Sequence, residues 1–217
     1  MPLLNERDQR LIELIQPVPE DKILVIGTGV FPKIESFLYK KFKCKKIISG
    51  DINKKNLILG KCKLPGVNFV FLDAQKRFDF SDNFFDKVIL TEVLEHLKNE
   101  TFVLQEIKRV LKKTGKLILS VPKRRWFNIF SPITWIQHKR EYSEERIAKL
   151  LNANGLGIER MFVGGEIYDL INLWVHLILK HFLRTIHIDF FFKKQINRSY
   201  RKDFRGKGTD IMILAGK

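Results

Sequence analysis

A chain of 217 residues amounts to about one and a half typical domains of ~150 residues, which favours one large domain or one domain with an elaboration. At this size about 70% of the unfolded surface can be buried, and a composition of 45% apolar and 29% charged residues argues against disorder throughout, a collagen repeat and a multi-span membrane protein. Forty Lys and Arg against 24 Asp and Glu leave a net charge of +16, which favours an anionic partner (nucleic acid, an acidic membrane surface or a phosphorylated substrate) without choosing among them.

The N-terminal residues 1–15 have no cationic stretch followed by an apolar core and a small-residue cleavage site, so no secretory signal is expected. The spacing there predicts a short helix over 6–15, broken by Pro17 and Pro19. The apolar run 23–26 predicts a strand ending at Gly27, and a helix follows Pro32 with Ile34, Phe37 and Leu38 on one side. Strands are expected at Ile47-Ile48, at 69–72 after the Pro65-Gly66 turn, and at 87–90. Residues 101–111 carry Val103, Leu104, Ile107, Val110 and Leu111 at helical spacing, with Gly115 beyond the end and a strand over 117–121. Ser143 is a good N-cap for a helix that Gly155 stops, and 158–163 and 211–214 read as the last two strands.

Alternating strands and helices of this length indicate an α/β class with a mostly parallel sheet covered on both faces. Seven strand candidates fall short of a closed eight-unit barrel, so an open sandwich is expected. The whole chain, 1–217, reads as one domain. Two late stretches break the alternation: 123–142, basic and aromatic, and 166–204, an apolar run followed by a basic tail. Ligands of open α/β sheets sit beyond the carboxyl ends of the strands, and these insertions would shape that mouth.

Three strand ends carry candidate binding residues. Gly27 and Gly29, two apart after a strand, allow a tight turn and close approach of a ligand, although two glycines alone equally suit an ordinary connection. Asp51 at the next strand end has the position of a ribose-binding acid, and Asp73 follows the third strand; each is also explicable as a turn or cap residue.

With Phe80 to Leu97, containing Thr91-Glu92-Val93-Leu94-Glu95-His96, the chain resembles the class I S-adenosylmethionine-dependent methyltransferases, in the branch that acts on small molecules, lipids, quinones and sugars. Arg109 to Pro122 and His138 to Ser143 are similar to later stretches of the same family, and ordered matches run over 23–163. The resemblance implies a Rossmann-like three-layer sandwich with seven strands ordered 3-2-1-4-5-7-6, strand 7 antiparallel. It implies S-adenosyl-L-methionine as cofactor, with Gly27 and Gly29 beneath its methionine part and Asp51 on the ribose hydroxyls. Ile52 would then pack near the adenine, Asp73 and Ala74 would contact it, and Thr91 and Glu92 would line the pocket near the methyl group. Two departures stand out: Val25 where the family usually has an acid, and Phe31 where it has a third glycine.

Methyl transfer of this kind needs no metal, and the dispersed histidines argue against a metal cluster. An alcohol or phenol acceptor would benefit from a base. His138, between the basic aromatic loop and the next helix, is the candidate; Tyr142 is a candidate for orienting the acceptor, or else packs the helix start, while His96 would order its loop. With only Cys44 and Cys62, a disulfide scaffold or zinc site is not expected, and a reducing, cytoplasmic setting fits best. Residues 167–180 are apolar on nearly every side but interrupted by Asp169, Asn172, His176 and Lys180, which argues against a spanning helix. They would form a lid, a homodimer contact or a peripheral contact with an anionic membrane. The expected acceptor is therefore a small, partly apolar or lipid- or glycan-linked molecule, the alternatives being an RNA methyltransferase and a non-catalytic S-adenosylmethionine-binding protein.

Overall fold

The computed structural model describes residues 6–124, 140–165, 198–200 and 208–217. Most of the two late stretches, 123–142 and 166–204, lies outside them. The elements in chain order are α1 (Glu6–Ile15), β1 (Lys22–Ile26), α2 (Lys33–Lys40), β2 (Lys46–Asp51), α3 (Lys54–Lys63), β3 (Asn68–Phe71), β4 (Phe85–Thr91) and a 3-10 turn (Leu94–His96). They continue with α4 (Glu100–Val110), β5 (Leu111–Pro122), α5 (Glu144–Ala153), β6 (Gly157–Gly164) and β7 (Asp210–Gly216). The sheet has seven strands in the order β3-β2-β1-β4-β5-β7-β6, with β7 antiparallel to both its neighbours. That is the expected order.

Two cores explain the near-continuous apolar strands. Successive side chains alternate faces, so Leu24, Ile26, Val88, Leu90, Leu117 and Leu119 pack on one side with α4 and α5. Ile23, Val25, Ile89, Ile118, Met212 and Leu214 pack on the other with α1, α2 and α3. A strand buried on both faces has no polar side to show, which is why these runs read clearly in the sequence.

Local chemistry sets the helix starts. Ser143 accepts a hydrogen bond from the backbone of Arg146 at 3.1 Å, as its N-cap position suggests. Asn53 and Asn99 cap α3 and α4 in the same way. Helix α3 had no counterpart in the periodicity, because among its residues only Leu57 and Gly60 are buried. Gly60 is there for contact: a Cβ on it would lie 2.5 Å from the Phe69 ring of β3.

Arg124 donates to the carbonyl of Tyr142, and Tyr142 donates back to that of Pro122. The basic aromatic loop therefore leaves and returns at adjacent points beside the carboxyl end of β5.

Candidate functional site

The carboxyl ends of β1, β2, β3 and β4 meet in a cleft of about 550 Å³ whose walls include Gly27, Gly29, Asp51, Ile52, Asp73, Ala74, Thr91 and Glu92. All eight residues predicted to bind a cofactor are therefore brought together. Residues to which the sequence reading assigned no cofactor contact also line it, among them Leu72, Gln75, Val93, His96 and Leu97. Its volume lies within the range of small-molecule sites.

Both glycines have left-handed backbone conformations, φ +90° at Gly27 and +63° at Gly29. They differ in their surroundings. A Cβ at Gly27 would stand 2.4 Å from Cγ2 of Val93, whereas one at Gly29 would meet nothing within 4 Å. Gly27→Ala is therefore expected to destabilise the fold by about 2–4 kcal/mol, through strain and overpacking together. Gly29→Ala should cost only about 1 kcal/mol in folding, yet weaken ligand binding by placing a methyl group in the open cleft. Thermal melting and calorimetry on the two variants check this ordering.

Asp51 ends β2 with its carboxylate turned into the turn that follows β1. One oxygen accepts from the Gly29 amide at 3.0 Å and from Asn56 Nδ2 at 3.0 Å, and the other from the Asn53 amide at 2.7 Å. A carboxylate offers about four acceptor positions, so three are used within the protein and one remains for a ligand hydroxyl. Asp73 accepts from the Gln75 amide at 3.0 Å, and Lys76 Nζ lies 3.7 Å from its other oxygen. Ile52 stands exposed on the cleft wall.

The two departures have structural answers. Val25 is buried in the core beneath the turn, opposite Ser49 across the β1–β2 ladder. Ser49 donates to the buried carboxyl of Glu35 on α2 at 2.6 Å, and its hydroxyl lies 2.7 Å from that of Thr28, between the two glycines. A polar anchor beneath the turn is present, supplied from α2 instead of β1. Phe31 is turned outward, with Lys63 Nζ 4.0 Å above its ring.

Burial pushes the Glu35 carboxyl up to about 7, with repulsion from Asp51 adding to the effect and the Ser49 bond opposing it. Glu95, in the 3-10 turn beside the cleft, is pushed up to about 8, first by burial and then by the charge of Glu92. Each carboxyl keeps its proton in the folded state above the ordinary value of 4.5, where the unfolded chain has lost it. The stability they contribute is therefore complete below about pH 4.5 and is lost as the pH rises through 7 and 8. The melting midpoint should fall between pH 5 and pH 8, and Glu35→Gln should flatten the fall by at most about 3 kcal/mol. Melts across that range check it; an unchanged slope in the variant would count against the assignment.

At the far side of the cleft Glu92 adopts φ +53°. Its carboxylate accepts from Arg7 of α1 at 2.9 Å and from Ser120 of β5 at 2.8 Å, while Arg7 also donates to Asp210 of β7 at 2.8 Å. Burial alone would depress the Arg7 guanidinium, but Asp210 and Glu92 carry it well above its ordinary value. A second, shallower cleft of about 220 Å³ adjoins Glu92, with Arg7, Pro122, Tyr200, Thr209 and Asp210 on its walls. The two clefts share Glu92.

The candidates for base and acceptor orientation fare differently. His138 lies outside the described residues. Tyr142 lies in the core, where its hydroxyl donates to Glu100 and where burial, followed by that bond, raises its pKa. It is absent from the walls of both clefts, and it fixes the start of α5, the other role its position suggested. His96 lines the cleft, with Nε2 3.8 Å from Glu95.

Residues 24–119 match the family model of a methyltransferase domain. Over 111 residues the chain is 29% identical to the demethylmenaquinone methyltransferase of Thermotoga maritima, which covers 51% of this chain and 48% of that one. The chain thus spans about half the length of the curated relatives it matches. Among solved structures, a SAM-dependent methyltransferase from Archaeoglobus fulgidus superposes with a TM-score of 0.67 at 20% identity, over 97% of this chain and 93% of that one. Phosphoethanolamine N-methyltransferase 2 of Haemonchus contortus, in complex with S-adenosyl-L-methionine, gives 0.70 at 16% identity, over 97% and 52%. These two establish the fold.

The cleft fits an adenosyl group. Ile52, Leu72 and Leu97 offer an apolar wall for a planar base, Asp51 keeps an acceptor position for a hydroxyl, Asp73 has acceptor capacity for an amino group, and the two glycines leave the floor without side chains.

Proposed function

We propose that this chain is a class I S-adenosylmethionine-dependent methyltransferase that transfers a methyl group in line to a small, partly apolar or lipid- or glycan-linked acceptor, a reading supported by the match of residues 24–119 to a methyltransferase domain. One observation carries the reading: a single cleft gathers Gly27, Gly29, Asp51, Ile52, Asp73, Ala74, Thr91 and Glu92, and Glu92 also forms the wall of a second cleft beside it. Donor and acceptor would then lie on the two sides of Glu92.

When bound, S-adenosylmethionine supplies an electrophilic methyl group. The rest of the work is positional. Asp51 would hold the ribose through its remaining acceptor position while keeping the Gly29 turn in place. Ile52 and Leu97 would exclude water from the base. Glu92, fixed between Arg7 and Ser120, presents a carboxylate at the junction of the two clefts and would orient an acceptor hydroxyl or amine. Where the acceptor needs deprotonation, His138 is the proposed base.

The partly apolar acceptor is supported by the apolar density of residues 167–180 and by the similarity to the demethylmenaquinone methyltransferase of Thermotoga maritima. The test is methyl-labelled donor offered with separated lipid-soluble, glycan and RNA fractions from the source cells. Label is expected in the lipid-soluble or glycan fraction. Transfer to RNA alone would replace this reading with the nucleic-acid one, and donor binding without transfer to any fraction would leave a non-catalytic binding protein.

A further inference from the structure

The large apolar side chains that stand exposed among the described residues all fall between Val18 and Phe71. Six of these seven belong to β3, α3 and the turns that follow β1 and β2. Val30 and Phe31, exposed by 53% and 68%, follow β1; Ile52, at 60%, follows β2; Phe71, at 56%, ends β3; and Ile58 and Leu59, at 61% and 40%, project from α3. They are physically linked. Lys63 of α3 lies over the Phe31 ring and donates to the Val30 carbonyl at 3.3 Å, Ile52 immediately precedes the cap of α3, and Phe71 pairs with Asp51 in the sheet.

The same segment holds the densest positive charge. Residues 39–63 contain nine lysines and one acid. All nine lysines are exposed, and none forms an ion pair with a described residue. The acid, Asp51, is buried with its carboxylate turned onto Gly29 and Asn53. On α3 the apolar pair Ile58 and Leu59 is bracketed by Lys54, Lys55, Lys61 and Lys63.

We propose that this side of the molecule docks on an anionic lipid bilayer, with α3 lying along the surface and the mouth of the large cleft beside it. The chemistry fits on both counts. Ile58, Leu59 and Phe31 would enter the boundary between headgroups and acyl chains, while lysine stems lie along that boundary and place their ammonium groups among anionic headgroups. A nucleic acid would be held by the lysines and offered the rings of Phe31 and Phe71, but it would leave the aliphatic Val30, Ile52, Ile58 and Leu59, four of the six apolar side chains, without a stacking role. A symmetric contact between two copies would set lysines against lysines. The proposal does not rest on methyl transfer, since a chain that bound no donor would dock in the same way.

Co-sedimentation of the full chain with vesicles tests it. The protein is expected to bind mixed phosphatidylcholine–phosphatidylglycerol vesicles, to bind pure phosphatidylcholine far less, and to be released by raised salt. Ile58→Ser with Leu59→Ser should weaken binding about ten-fold or more. Lys54→Gln with Lys55→Gln and Lys61→Gln should weaken it about five-fold for each charge lost. All five positions are exposed, circular dichroism confirms folding, and the lysine variant carries the test if the apolar one unfolds. Donor affinity, measured alongside by calorimetry, should stay at the wild-type value, which separates this surface from the cofactor site. Failure of the wild type to bind the anionic vesicles, or undiminished binding by the folded variants, would overturn the proposal. An RNA oligonucleotide bound more tightly than the vesicles, or a dimer abolished by the apolar variant in the absence of vesicle binding, would overturn it in favour of those partners.

Discussion

Asp51→Ala is expected to weaken S-adenosylmethionine binding by about 10- to 100-fold, which corresponds to loss of one or two hydrogen bonds to a charged acceptor. The loss has two sources. The ligand forfeits the remaining acceptor position of the carboxylate, and the Gly29 and Asn53 amides, now held at 3.0 and 2.7 Å, lose their common partner. The turn that forms the cleft floor then loosens. Replacing the exposed Asp79, which does not line the cleft, by Ala removes the same charge and should leave affinity unchanged. Calorimetry on both variants decides the matter: equal affinity in Asp51→Ala and wild type would reject the ribose role.

Arg7→Met is expected to lower stability by about 2 kcal/mol, or roughly 4–8 °C in melting midpoint for a chain of this size. Arg7 joins α1 to three neighbouring strand ends at once, through Glu92 just after β4, Ser120 of β5 and Asp210 of β7. Removing it leaves the buried Asp210 and the partly exposed Glu92 without their shared cation. A fully buried pair broken in this way costs about 3–5 kcal/mol, and the exposure of Glu92 reduces the figure. The consequence for turnover is separate. Glu92 would lose its fixed position between the two clefts, so kcat should fall more than donor affinity does. Arg7→Lys, which restores the charge but not the fork of donors, should recover most of the stability and only part of kcat. Melting curves with kinetics on the two variants check both halves.

The parts of this arrangement that were legible in the sequence share a physical cause. Strands β1, β4, β5 and β7 are buried on both faces, so their apolar runs stood out, and the acids are recognisable by position: Asp73 directly follows the apolar stretch 69–72, and Asp51 ends β2 three residues after Ile48. Helix α3 was not legible: its inward face is one leucine and one glycine, and its outward face mixes lysines with Ile58 and Leu59, which leaves no period to read. Glu35 reads in sequence as an acid suited to a helix first turn, and only the folded chain brings it onto Ser49 beneath the glycines. Arg7 was still less visible, since its partners lie 85, 113 and 203 residues away. Tyr142 shows the converse. Its place beside a basic aromatic loop suggested contact with an acceptor, but the return of the chain against β5 puts its ring in the core and its hydroxyl on Glu100.

The central claim is that the cleft at the carboxyl ends of β1 to β4 holds the methyl donor. A crystal structure of the protein with S-adenosylhomocysteine tests it most directly. The expected result is density for the adenosyl group between Ile52 and Leu97, with a ribose hydroxyl on Asp51 and the amino acid end over Gly27 and Gly29. Density for the ligand at any other place, or crystals grown at saturating ligand with this cleft empty, would contradict the account.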